Sequence, residues 1–403
     1  MGLMPVAEAL SRVLVDAHPL PAESAALMDA YGRVLTSDIV ALRSQPPADV
    51  SAMDGYAVRA ADVAAAPARL KVIGEVAAGH PFARTVGPGE AVRIFTGALL
   101  PAGADTVVIQ ENTTAEGNSV LVSIAADRGK HVRVEGLDFR RGAVLLAKGR
   151  RLSDRDLALA AAMNHPRLPV HRRPKLAFFA SGDELVMPGS ELAAGEIVHS
   201  NAYAILAMAH REGCELIDLG IVPDRLDATA EAVRHAGERG ADILVTSGGA
   251  SVGDYDLVHK ALASEGLALS FWKVAMRPGR PMLHGRLGQM HVLGLPGNPV
   301  SAYVCSLLFL VPLIRRLCGQ TEVAPASEIA ILGRDLPEND ERADYLRARL
   351  CVGAGGVPIA TPAPVQDSSM LTPLAGADCL LIREPHAPAA AAGSRCNVLR
   401  LPL

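Results

Sequence analysis

Aromatic residues make up only 3 % of this 403-residue chain, and its 6 cysteines, Cys214, Cys305, Cys318, Cys351, Cys379 and Cys396, include no CxxC pair. Thiols so far apart suggest neither a zinc knuckle nor a disulfide framework, and they suit a reducing cytoplasm. Neither sign of charge dominates: 39 Lys and Arg stand against 43 Asp and Glu, a net charge of -4, with no long run of like charge. That balance leaves no basic footprint for a phosphate backbone, so nucleic acid is not an expected partner. The first residues hold no basic segment followed by a continuous apolar one, so neither export nor anchoring is expected. The apolar run from Val300 to Ile314 is shorter than the roughly 20 residues a membrane span needs, and Ser301, Ser306 and Pro312 interrupt it. It reads as a buried core helix. HExxH, GK[ST] and GxGxxG are all absent despite 12 histidines, which removes the usual signatures of zinc enzymes and the common nucleotide folds.

What the sequence does contain is too much apolar material for one core. Half the residues are hydrophobic, and a chain of this length predicts several domains. Residues 5–16 carry helical apolar spacing, and SQPPAD then breaks the pattern. From Ala52 to about Asp138 come short β runs (LKVIGEV, AVRIF, TVVIQE, VLVSI) without a helix between them, which predicts a small all-β unit. A strand and a helix with Ser153 as its N-cap follow. Strands KLAFFA, ELIDLG, DILVTS and HVLGL then alternate with helical segments such as NAYAILAMAHREG and LDATAEAVRHAGERG, the pattern of a parallel, helix-covered sheet. From about Thr321 short β runs return (EIAILG, DYLRARLCV, CLLIRE, NVLRLPL) and predict a final β domain.

In an open α/β sheet, ligands bind beyond the carboxyl ends of the strands, where loops meet helix amino ends. Four loops qualify here: SGDEL from Ser181, GIVPD from Gly220, TSGGASVGDYD from Thr246 and GLPGNPVS from Gly294. In the third, Gly248, Gly249 and Gly253 let backbone amides crowd an anion while Ser247 and Ser251 add hydroxyls; taken alone, it also reads as a structural turn. Asp183, Glu184, Asp224, Asp254 and Asp256 fall in these loops, and facing one cleft they would need a hard cation such as Mg²⁺; singly, each is more often a cap or a solvated charge. Lys273, Arg277 and Arg280 in FWKVAMRPGRP suit an oxyanion, with an unliganded basic turn as the even alternative. Pro296 and Pro299 stiffen GLPGNPVS into a ligand-binding or merely structural turn. In the β unit, Asp54 and Gly55 form a tight turn and Thr96 and Gly97 follow a strand.

SAMDGYAVR, TGALLP, RVEGLD, SGDEL, SGGASVGDYD, RPGRP and GLPGNPVSA stand in the order and spacing of MoeA and of gephyrin's C-terminal domain, so nearly the whole chain resembles the MoeA/gephyrin family. The resemblance implies residues 1–22 and 172–320 as a molybdopterin-binding-like α/β domain, to which the N-terminal helix belongs. It also implies a connecting domain over 23–41 and 142–171, an inserted β-rich domain over 42–141 and a C-terminal β-barrel over 321–403. It implies a cytoplasmic molybdenum insertase that takes adenylated molybdopterin, molybdate and Mg²⁺ and releases AMP. The implied site lies between the two subunits of a homodimer: Asp54 and Thr96 of one, facing Glu184, Asp224, Asp256, Lys273, Arg277 and Pro296 to Pro299 of the other. Glu184 and Asp256 would take the metal, residues 248–253 the phosphates or pterin, and Lys273, Arg277 and Arg280 the molybdate and anhydride charge. Arg133, Gly136 and Asp138 fit the family's RxxGxD, and Arg347 and Ser368 fit its C-terminal positions. A molybdopterin-adenylating protein and molybdoenzyme-maturation factors are the implied partners. Departures occur at Ala250, Arg225 and Asp367, and a scaffold role like gephyrin's, or adenylyltransfer on the shared α/β domain, are the rival readings.

Overall fold

The computed structural model describes residues 3–248 and 257–402. The chain forms two compact units, Met1–Glu23 with Gly32–Val34 and Val170–Leu403, and Ser24–Tyr31 with Leu35–Pro169.

In the first unit, strands β1 (Lys175–Ser181), β2 (Glu215–Val222), β3 (Ile243–Ser247), β4 (Ala268–Trp272), β5 (Leu283–Leu287) and β6 (Met290–Leu295) make one sheet in the order β2-β1-β3-β6-β5-β4. The strands expected from sequence, β2, β1, β3 and β6, run parallel to one another. Successive side chains of a strand point to opposite faces, and a strand covered on both reads as one apolar run. So it is in β1: Leu176, Phe178 and Ala180 pack against α1 (Val6–Leu14), α2 (Asn201–Arg211) and the helical stretch α5 (Pro299–Leu317). Ala177 and Phe179 pack against α3 (Leu226–Glu238) and α4 (Leu257–Ser264). α5 starts with Pro299 in its first turn and contains a π turn at Ser306–Leu310. It is long and apolar enough to cross a membrane, but 83 % of it is buried inside the unit, as a core helix should be.

β5 and β4 extend the sheet antiparallel, an addition to the expected strands. Their text hid them because β5 carries His284 where an apolar residue would mark a buried strand. That ring stacks on His291 of β6 at 5.8 Å between centroids, with His284 Nε2 3.4 Å from His291 Nδ1. Burial, then the mutual repulsion and Arg286, push His284 down to about 3. Burial and Arg286 push His291 down to about 4, with His18 adding to the fall and Asp16 and Asp242 opposing it. Both rings therefore stay neutral in the folded chain and take protons only when it unfolds. Stability should be full above the ordinary histidine value of 6.5 and fall as pH drops from there toward 4, by about 1.4 kcal/mol per pH unit for each ring. Urea unfolding between pH 7.5 and 5 measures this, and His284→Phe should roughly halve the slope that the pair contributes.

The same unit ends in a closed five-stranded barrel. β7 (Ser327–Leu332), β8 (Ala343–Val352), β9 (Pro358–Pro362), β10 (Cys379–Arg383) and β11 (Arg395–Arg400) pair in the order β8-β9-β7-β11-β10, and β10 closes on β8. Ala330, Leu332, Ala348, Ala360, Leu381 and Val398 fill it. The sequence reading found four of these strands and missed β9, whose two prolines argue against a strand.

The second unit holds a sheet in the order Thr106–Ile109, Gly55–Val58, Glu90–Ile94, Ala68–Val76, Ser119–Val122, Thr113–Glu116, with Val58, Leu70, Ala91, Val108 and Val120 in one of its cores. Only short 3₁₀ turns interrupt the β runs there, as expected. Ser153 caps helix Asp154–Ala162 through a reciprocal capping box with Asp156.

Candidate active site

The order β2-β1-β3 reverses direction at β1, so the crevice beyond the carboxyl ends of β1 and β3 is where this topology places a ligand. A cleft of about 640 Å³ opens there. Ser181 closes β1, Ser247 and Gly248 close β3, Glu184 and Asp224 come from the loops after β1 and β2, and Pro296 to Pro299 follow β6; all line the cleft. His199 and Asn201 join them at the amino end of α2, and Ser369 from the loop between β9 and β10.

Hydrogen bonds fix this wall. Ser181 Oγ donates to Asp224 Oδ1, and the Asp224 N–H donates to Asp183 Oδ1 at 3.0 Å, tying the β1 and β2 loops together. Asn201 Nδ2 donates to Ser247 Oγ and to the Gly297 carbonyl, both at 2.8 Å, tying α2 to the β3 and β6 loops. Asn298 Nδ2 donates to Ser368 Oγ at 2.9 Å, and the Val300 N–H to the Ser368 carbonyl at 3.1 Å. Gly248 is required by geometry: at φ +92° a Cβ would lie 2.2 Å from the Ser181 carbonyl oxygen.

Against this bonded wall one charge is unspent. The Glu184 carboxylate has no hydrogen bond or ion pair among the described residues, although it lines the cleft. α2 and α5 both present their amino ends to the same space, so their dipoles favour an anion there. Among the described residues no cluster of three or more His, Cys, Asp or Glu could hold a metal alone. Mg²⁺ asks for less, about one or two carboxylates plus the oxygens of a bound phosphate, and Glu184 has the right donor chemistry for it.

The cleft thus brings together Glu184, Asp224, Ser247, Gly248, Pro296 and Pro299 of the expected residues. Gly249, Ser251, Gly253, Asp254 and Asp256 lie outside the described residues. Ser368 touches the wall through Asn298. Arg347 is 1 % exposed and does not line this cleft, bordering instead a separate cavity of about 380 Å³ with Ala348, Thr361 and Pro362. Its guanidinium donates to Gln366 Oε1 at 3.1 Å, the Asp367 carbonyl at 2.8 Å and the Met370 carbonyl at 3.1 Å, so it clamps the loop that carries Ser368 and Ser369.

The cationic segment lies largely outside this cleft. Only its Pro281 lines the cleft. Arg277 turns instead to the barrel, pairing with Asp344 and, at 3.2 Å each, with Asp340 and Asn339. Local carboxylates have already neutralised it. Lys273 sits at φ +82° with Nζ 5.1 Å from the Trp272 ring centroid, and Arg280 is exposed. Among the described residues, Glu184 and Asp224 line this cleft and Lys273, Arg277 and Arg280 do not. Sequence reasoning missed His199, Asn201 and Ser369; the available signal was Ser200-Asn201 opening a helix at the far end of the connection that SGDEL begins.

In the second unit, Asp54 and Thr96 meet. Thr96 donates both its N–H and its hydroxyl to Asp54 Oδ1 at 2.7 Å, and these bonds, backbone first, hold the half-buried Asp54's carboxyl below its ordinary value. Gly55 is forced, since a Cβ would lie 2.0 Å from the Val108 carbonyl oxygen. The segment bearing Arg133 (Val132–Arg133) pairs with Val50–Ser51, and Asp138 N–H donates to the Gln45 carbonyl at 2.9 Å, so SAMDGYAVR, TGALLP and RVEGLD converge within this unit.

Comparison with known proteins now fits this geometry. Residues 4–164 match the MoeA N-terminal region (domain I and II), 178–316 a probable molybdopterin binding domain, and 330–401 the MoeA C-terminal region (domain IV). The chain belongs to the MoeA family. MoeA relatives named molybdopterin molybdenumtransferase include that of Nostoc sp., 42 % identical over 73 % of this chain and 69 % of the relative, and that of Bacillus subtilis, 37 % identical over 94 % of this chain and 90 % of the relative. Among solved structures, the molybdopterin biosynthesis MoeA protein of Pyrococcus horikoshii superposes with a TM-score of 0.84 at 30 % identity, covering 99 % of each chain.

Proposed function

We propose that the chain is a molybdopterin molybdenumtransferase that places molybdenum from molybdate on the dithiolene of adenylated molybdopterin and releases AMP. The observation that carries this reading is the switch-point cleft, with an anion-seeking wall and one unspent carboxylate, Glu184. Backbone amides at Gly248 and Gly297 and the amino ends of α2 and α5 bind and orient the phosphates, while Asn201 and Ser181 hold the loops still around them. Glu184, with Asp256 from outside the described residues, would take Mg²⁺, which when bound neutralises charge on the anhydride. The reactive sulfurs belong to the substrate, so the chain contributes positioning and electrostatics rather than a nucleophile. Purified protein given adenylated molybdopterin, Mg²⁺ and molybdate should release AMP; a folded chain that releases none is not this enzyme.

Two copies act together in this reading, Asp54 and Thr96 of one serving the cleft of the other. The support is an apolar rim beside those residues: Met53, Leu99, Val134 and Leu137 are exposed by 36 to 61 %, a patch that favours a partner. An Asp54→Asn variant and a Glu184→Gln variant, each inactive alone, should therefore recover about a quarter of wild-type activity after their subunits are mixed, because half the dimers carry one intact site. Sites confined to single copies would recover nothing. A molybdopterin-adenylating protein would supply the substrate and molybdoenzyme-maturation factors would take the product, in the cytoplasm.

A further inference from the structure

The cleft contains a histidine that no group among the described residues satisfies. His199 is 4 % exposed and lines the cleft, and its Nε2 is buried without a hydrogen-bond partner. Leaving a buried polar atom unmet costs on the order of 1–3 kcal/mol, so such an atom asks for an explanation. Its backbone is fixed, the His199 N–H donating to the Val186 carbonyl at 2.8 Å. Its ring is held only by neighbours, Phe178 stacked at 6.1 Å and Tyr203 tilted at 6.4 Å between centroids. Among the described residues no hydrogen bond engages either ring nitrogen, so the ring keeps its polar capacity for a ligand in the cleft.

Glu184 apart, polar side chains around it are committed: Ser181 to Asp224, Asn201 to Ser247 and Gly297, Asn298 to Ser368. Burial lowers the basicity of His199 against the opposing pull of Asp218, so the ring is uncharged near neutral pH. An uncharged imidazole offers one donor and one acceptor, which match the edge of a nitrogen heterocycle better than a phosphate. Beside it Ile197, Val198 and Tyr203 are 54, 40 and 55 % exposed, flat apolar surface on which such a ring can lie.

We propose that His199 is a specificity-determining contact of the cleft, its ring nitrogen completing a hydrogen bond with the edge of the substrate's fused nitrogen heterocycle, pterin or adenine. This rests on the functional reading above. Calorimetric titration of the whole protein with metal-free molybdopterin and, separately, with AMP distinguishes the two rings. His199→Phe keeps the stack on Phe178 and removes both nitrogens; it should weaken one probe about tenfold, and His199→Gln, which restores a donor, should lie within about threefold of wild type. Unchanged binding of both probes to a folded His199→Phe, or equal loss in both variants, overturns the contact. If the unaltered protein binds neither probe, the functional reading falls and the contact with it; if it binds and His199→Phe binds as well, only the contact falls.

Discussion

Glu184→Gln should cut AMP release by about two to three orders of magnitude, the scale on which one preorganised electrostatic contact acts in a transition state. The substitution keeps the shape and removes the charge. Glu184 is exposed and unpaired among the described residues, so the melting profile should stay within about 0.5 kcal/mol of wild type. That contrast makes the experiment decisive: a loss of turnover without a loss of stability assigns Glu184 to the chemistry. Turnover at the wild-type rate would remove it from the site. Asp224 should behave differently, because Ser181 already holds one of its oxygens and its amide anchors to Asp183. Asp224→Asn should disturb loop geometry as well as charge, and raise KM together with lowering kcat.

Arg347→Met should destabilise the barrel-bearing unit by about 1–3 kcal/mol, since it strips the Met370 carbonyl of its donor and leaves the Asp367 carbonyl and Gln366 Oε1 with one backbone N–H each. Arg347→Lys should recover little, because a single ammonium cannot reproduce a planar fork that reaches three acceptors. Urea denaturation followed by circular dichroism measures the loss. Amide exchange over residues 366–370 should rise in parallel, as the loop that carries Ser368 and Ser369 is released from its clamp. Wild-type stability in Arg347→Met would show that the loop holds itself.

The layers of the fold were legible wherever burial writes a continuous apolar run. Leu176 to Ala180 and Ile243 to Val245 contact helices on both faces, and no other structure suits them as well. β9 and β5 were illegible for local reasons, a strand bounded by prolines and a strand with a buried histidine. The location of the cleft followed from the post-strand rule, which pointed to Glu184, Asp224, Ser247, Gly248 and the Pro296–Pro299 turn, all of them in its lining. The fate of the cations did not follow from any local rule. Arg277 is neutralised by Asp340 and Asp344, which stand 63 and 67 residues later in the chain, and spacing within RPGRP carries no trace of them. Arg347 likewise matched a C-terminal position of the family by resemblance, and its residue type alone carries no trace of the three acceptors, all between residues 366 and 370, that surround it.

Every strand of the C-terminal barrel has a neighbour on both sides, β8 meeting β10 as well as β9. A cylinder zipped shut in this way offers an incoming chain no open lip of amides and carbonyls along its wall. Whatever this region grips in the cell, it must grip with side chains and loop tips, and its recognition can drift through surface substitutions while the hoop beneath stays unaltered.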